Sequence, residues 1–255
     1  MKRRIAAIVI ALCLLSLTRN SSAQEITVAA AADLQFAFQD VAARFQKESG
    51  KTVRLVFGSS GNFFTQLENG APFDLFFSAD IDYPRKLEAA GLAEPGTLYE
   101  YATGKIVLWV PNESKLDLSR GLKGLLDPGV RKIAIANPQH APYGRAAVAA
   151  LQHAGVYDKV AEKFVLGENI SQTASFVTSG SADAGIVALS LVLAPAMKAK
   201  GRYVEISSEE YPAIQQAAIM LKSSQQKETA RQLLHYLKTP AILGVMKTYG
   251  FSTPE

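Results

Sequence analysis

The sequence predicts an α/β chain of two lobes, each a mainly parallel sheet flanked by helices. Three observations predict it. Between residues 25 and 91, apolar strand patterns alternate with helical patterns across short connections. Such alternation builds parallel sheets covered on both faces. A second run of the same kind follows from residue 103. A closing strand at 215–221 and two helices then end the chain, which suggests two crossings between the lobes and a return to the first.

The chain has 255 residues, and the first 23 read as a leader. Lys2, Arg3 and Arg4 form a charged start, and 5–17 is apolar but shorter than the roughly 20 residues that span a bilayer. Ser21 and Ala23 place small residues before a cleavage site after Ala23. Cys13 lies inside the apolar run after the bulky Leu12, which argues against lipidation. The leader holds four of the 27 basic residues and no acid, so the remainder balances 23 basic against 23 acidic. The basic excess therefore belongs to the leader and is no argument for nucleic acid. The one cysteine leaves with the leader as well, which excludes disulfides, thiolate metal sites and cysteine nucleophiles from the exported chain.

In order, Glu25 to Ala32 reads as a buried strand ending in alanines. Asp33 follows as an N-cap for a helix with apolar Leu34, Phe38, Val41 and Phe45, ended by Gly50. Small residues at the strand end leave open space there, or allow close helix packing. The strand 52–57 runs into Gly58-Ser59-Ser60-Gly61, then a helix from Asn62. Free N–H groups at a helix start, two hydroxyls and two glycines make a place for an anion. An ordinary serine-capped turn is the other reading. The strand 73–80 carries Ser78 and Asp80 at its end, and Pro84 opens the next helix.

In the second half, 103–111 reads as a strand and 117–126 as a short capped helix. The strands 131–136, 163–167 and 182–189 follow, with loops 137–144 and 168–173 before helices. Residues 203–206 read as an edge strand, 215–221 as the closing strand, and 228–237 and 240–249 as the last helices. Ligands on such sheets bind beyond the carboxyl ends of the strands, where Asp33, Ser59, Ser60 and Ser78 fall.

Signatures of catalysis are missing. The spacing at Gly58-Ser59-Ser60-Gly61 is not that of a nucleophile elbow, and there is no zinc-protease, P-loop or dinucleotide motif. His153 and His235 lie in helical patterns, and His140 stands in a strand-end loop with no evident partner. Strand-end loops rich in hydroxyls and N–H groups, and poor in cations, suit a compact, fully ionised oxyanion.

These segments together resemble one family. They are Val28 to Leu34, Phe57 to Gly61, Gly70 to Asp80, Asn137 to Gly144, Gly167 to Gln172, Ala182 to Val187 and Tyr249-Gly250-Phe251. In this order they resemble the periplasmic molybdate-binding proteins of ABC importers, over nearly all of the exported chain. The resemblance implies a type II two-lobe binding-protein fold, with 24–102 and 212–255 as lobe 1 and 103–211 as lobe 2. It implies molybdate, and tungstate with it, in the interlobe cleft, with no catalytic residue and no cofactor. Molybdenum would enter as the oxyanion, and no protein group would ligate it as a cation.

By the same resemblance Ser60 offers its hydroxyl and N–H, and Asp33, Tyr143 and Ile170 offer backbone N–H groups. Ala32, Ser59, Asn169 and Ala188 stand around them. Some members carry a ligating tyrosine where this chain has Ala188, so the Tyr143 phenol is expected to supply that donor. Asp33 replaces a Ser or Asn, and its carboxylate is expected to turn back onto the helix start; turned inward, it becomes an acceptor. The expected partners are a membrane permease and its ATPase, for a periplasmic monomer that binds no nucleic acid. A sulfate or phosphate receptor, or an exported enzyme on the same fold, are the alternatives.

Overall fold

Alanine-rich β1 (Glu25–Ala31) is buried along nearly its whole length and sits at the middle of one sheet. The computed structural model describes residues 25–252, so the leader and its cleavage after Ala23 lie outside the described residues. A 3₁₀ turn (Ala32–Leu34) leads from β1 into α1 (Gln35–Ser49), which Gly50 ends in the left-handed conformation at φ 71°. Next come β2 (Thr52–Gly58), α2 (Ser60–Glu68), β3 (Leu75–Ser78), α3 (Asp82–Ala89) and β4 (Tyr99–Gly104).

The second sheet takes β5 (Ile106–Pro111), β6 (Ile133–Ala136), β7 (Phe164–Gly167), β8 (Ala184–Ala188) and β9 (Gly201–Glu205). Around it lie α4 (Pro142–His153), α5 (Tyr157–Val160), α6 (Ile170–Thr178), α7 (Leu189–Val192) and α8 (Pro195–Lys198). The chain then closes with β10 (Ile214–Met220), α9 (Lys227–Leu237) and α10 (Pro240–Thr248).

The two five-stranded sheets run β2-β1-β3-β10-β4 and β7-β6-β8-β5-β9. Each is mixed. β1 is parallel to β2 and β3, and β6 to β7 and β8. β10 is antiparallel to β3 and β4, and β5 to β8 and β9. The reason is the crossing itself. A strand arriving from the other lobe enters at the cleft, where its parallel neighbours end, and must run the opposite way.

The expected strand over 103–111 is two strands broken at Lys105. β4 keeps Thr103 and Gly104 in the first sheet, where Gly104 pairs with Ile214, so the crossing lies two residues beyond the expected boundary. The polar run Tyr-Glu-Tyr-Ala-Thr-Gly hid this strand, of which Tyr101 and Ala102 are buried. The expected helix at 117–126 is 3₁₀ (Leu118–Leu126) and kinked at Gly121, and Asp117 caps it by accepting from Ser119 N at 3.0 Å.

Side-chain alternation explains the first lobe's two cores. Val28, Ala30, Leu75 and Phe77 face α1, α9 and α10, where Phe38 meets Phe77 edge-on at 4.7 Å. Ala29, Phe76 and Ile219 face α2 and α3, against Phe63, Leu67 and Leu87. The second lobe packs Ile106, Leu108, Ile133, Ile135 and Ile186 into one core. Among the described residues no helix is long and apolar enough to cross a membrane.

Candidate functional site

Four chain turns meet at the carboxyl ends of the parallel strands. Ala31, Ala32 and Asp33 come from β1 and its 3₁₀ turn, and Gly58, Ser59 and Ser60 from the β2–α2 turn. Ala141, Pro142 and Tyr143 come from the start of α4, and Asn169 and Ile170 from the start of α6. With Ala79 after β3 they line one small cavity, with about 10 Å3 open to the centre of a water-sized sphere. That is room for about one water-sized group, far below drug-sized sites, so what enters is small. No Lys or Arg lines it.

Each helix start is made by local sequence. Ser59 sits extended (φ −82°, ψ 145°) before α2, Pro142 takes the first turn of α4, where its missing N–H costs nothing, and Asn169 caps α6. Asn169 Oδ1 accepts from Ser171 N and Gln172 N, both at 3.0 Å. This leaves the N–H groups of Ser60, Tyr143 and Ile170 without an acceptor among the described residues. Ser60 Oγ accepts from Ala79 N at 2.9 Å and keeps its proton to donate. Three helix N-termini, each with roughly half a positive charge, thus bring neutral donors to one small space. Such an arrangement binds an anion that accepts everywhere, with no salt bridge.

Asp33 departs from expectation. Its carboxylate makes no capping bond to α1, because Asp33 lies inside the 3₁₀ turn that precedes the helix rather than at the helix start. Instead Asp33 Oδ2 accepts from Tyr143 Oη at 2.9 Å and from Gln216 Nε2 at 2.7 Å. Gln216 Nε2 is also 3.0 Å from Tyr143 Oη, and Gln216 Oε1 accepts from Tyr101 Oη at 2.7 Å. Asp33 Oδ1 is buried with no partner. Burial pushes the Asp33 carboxyl up to about 6, against the hydrogen bonds from Gln216 and Tyr143 that favour its charge. Burial likewise pushes the Tyr143 and Tyr101 phenols well above their ordinary range, and the charge on Asp33 adds to it.

The Tyr143 phenol is therefore committed to Asp33 rather than to the cavity, which leaves its backbone N–H as the donor there. Gly104 makes this possible, since a Cβ at that position would lie 2.2 Å from Tyr143 Oη. Ala188 is not on the cavity: it pairs with Ile106 in β8 and packs into the second lobe's core. Ala32, Ser59 and Asn169 do line it. His140 has partners that its sequence position did not reveal. Its Nδ1 is 2.8 Å from Ser59 Oγ, and its Nε2 is 3.6 Å from Glu168.

Further bridges hold the two lobes together over the cavity. Gly61 N donates to His140 O at 2.9 Å, and Ser190 Oγ to Asp33 O at 2.8 Å. Arg145 pairs with Asp80, Asn62 with Glu168, and Ser171 with Gln35. Sequence reading missed Gln216 and Gly104. Gln216 did leave a signal, as a polar residue between Ile214 and Ala218 on the buried parity of β10.

The family model of bacterial extracellular solute-binding proteins matches residues 26–252. The molybdate-binding protein ModA of Rhodobacter capsulatus is 37% identical over 239 residues, covering 94% of this chain and 92% of that protein. The ModA of Escherichia coli is 33% identical over 246 residues, covering 91% of each. The solved structure of the periplasmic molybdate-binding protein of Azotobacter vinelandii superposes with a TM-score of 0.85 at 37% identity. It covers 90% of this chain and all of that one.

Proposed function

The chain belongs to the family of bacterial extracellular solute-binding proteins, and on that premise we propose that it is a receptor for molybdate and tungstate, serving an ABC importer. One observation carries the choice of ligand class. The Ser60 hydroxyl and the N–H groups of Ser60, Tyr143 and Ile170 open into one small cavity with no cation on its wall. A tetrahedral dianion accepts at every oxygen and matches donors of this kind.

In this reading the N–H groups of Asp33, Ser60, Tyr143 and Ile170 and the hydroxyl of Ser60 hold the ion. Ser59 and Asn169 shape the turns that present them. The helix dipoles favour the charge, and closure of the lobes removes water from it. Recognition reaches the oxygens only, so the chain needs no cofactor and performs no reaction. Residues 24–104 and 212–255 form one lobe and 105–211 the other, moving as rigid units about the two crossings. The protein works in the periplasm as a monomer and hands the ion to a membrane permease with its ATPase.

The test is calorimetric titration of protein stripped of ligand by unfolding and refolding. Tight one-to-one binding of molybdate and tungstate, with no heat from sulfate, is expected. Silence with molybdate and binding of sulfate or phosphate would overturn the reading.

A further inference from the structure

We propose that Asp33 is a proton-carrying ligand of this site: its Oδ1 holds a proton when the cavity is filled and donates it to an oxyanion oxygen, so that each ion enters with one proton taken from solvent. The inference rests on the oxyanion reading above.

The geometry leaves few other roles for the group. Asp33 is 1% exposed and lines the cavity. Its two oxygens are treated unequally. Oδ2 accepts from Tyr143 and Gln216, while Oδ1 is the one buried side-chain oxygen or nitrogen without a partner among the described residues. A buried oxygen with no donor is costly as a carboxylate and acceptable as a hydroxyl that finds an acceptor. The empty protein offers no such acceptor, and an oxyanion in the cavity does. An ionised Asp33 beside a dianion would add repulsion in a space that water has left. One proton between the two removes the repulsion and makes a hydrogen bond in its place. The new O–H bond forms on Oδ1 with a proton released by water or buffer, and no other bond changes.

The charged and titratable neighbours do not supply an alternative. Tyr143 from α4 and Tyr101 from β4 are the titratable groups that interact with Asp33, and both stay neutral at physiological pH. Gln216 from β10 and Ser190 from α7 face it without charge. Arg145 is paired with Asp80, His140 Nε2 lies 3.6 Å from Glu168, and none of these groups is among those that shift Asp33. Burial already pushes the empty site's carboxyl up to about 6, and the arriving dianion pushes it further in the same direction.

Proton-linked calorimetry reads this directly. Molybdate is titrated at pH 7.5 in buffers of different ionisation enthalpy, and the dependence of the observed heat on the buffer gives the protons taken up per ion. Close to one proton per ion is expected, with affinity falling toward tenfold per pH unit in the alkaline range. In Asp33→Asn the amide oxygen can keep the bonds from Tyr143 and Gln216, and Nδ2 donates where the acid did. That variant should still bind, with no proton uptake and a flat pH profile. One-to-one binding by the wild type with no proton exchange would overturn the proposal and leave the oxyanion reading standing. Absence of any molybdate binding would overturn both.

Discussion

Tyr143 Oη donates to Asp33 Oδ2 at 2.9 Å across the cleft, from the first turn of α4 in one lobe to the end of β1 in the other. The bond ties lobe closure to the Asp33 side chain. It also explains why Tyr143 contributes to the cavity through its backbone and not its phenol. Tyr143→Phe keeps the N–H and removes the bond. Loss of one net hydrogen bond of about 1 kcal/mol predicts roughly fivefold weaker molybdate binding by calorimetry. A loss of several hundredfold would place the phenol on the ion instead.

Ser60→Ala removes the hydroxyl proposed to reach the ion. A charge-assisted bond of about 1.5–3 kcal/mol predicts binding weaker by roughly one to two decades. The same variant takes the acceptor from Ala79 N, so its unfolding should be followed in parallel, without ligand. Unchanged affinity would remove Ser60 from the site.

The titration of Asp33 predicts how the empty protein responds to pH. Its folded value, about 6, lies above its ordinary 3.8. The stability that the protonated form contributes is fully present below 3.8 and is lost as pH rises through 6. Asp33→Asn removes this dependence. Urea unfolding of ligand-free protein should show the variant gaining on the wild type by on the order of 1 kcal/mol between pH 5 and pH 7.5. A constant difference would mean that Asp33 does not titrate in this window.

Gly104→Ala puts a methyl group where Tyr143 Oη and Gln216 Nε2 stand, at 2.2 and 2.7 Å. Backbone on β4 and the buried network both resist the shift. Weaker molybdate binding is expected, together with a more open average shape of the loaded protein in small-angle scattering. Binding and scattering like the wild type's would show that the phenol can move away without consequence.

Much of this was legible in the sequence, and the rest failed for physical reasons. Apolar runs such as Ile26 to Ala31 and Ile133 to Ala136 announce strands because both of their faces are buried. Asn169 and Pro142 mark helix starts by their own chemistry. β4 was hidden because its sheet-edge position lets Glu100 and Thr103 stay partly exposed, which breaks the apolar pattern. The direction of β5 and β10 depends on where the chain crosses between lobes, which local pattern does not carry. The orientation of the Asp33 side chain was misjudged for a related reason. Its partners, Tyr143 and Gln216, lie 110 and 183 residues away, and an N-cap is a guess from neighbours alone.

The most direct measurement is a crystal structure of the protein loaded with tungstate, with the tungsten located by its anomalous scattering. A single peak is predicted in the cavity between Ser60, Tyr143 and Ile170, with oxygens at hydrogen-bond distance, about 2.7–3.2 Å, from Ser60 Oγ and the four N–H groups. A peak elsewhere, or oxygens held by side chains of Lys or Arg, would contradict the site described above.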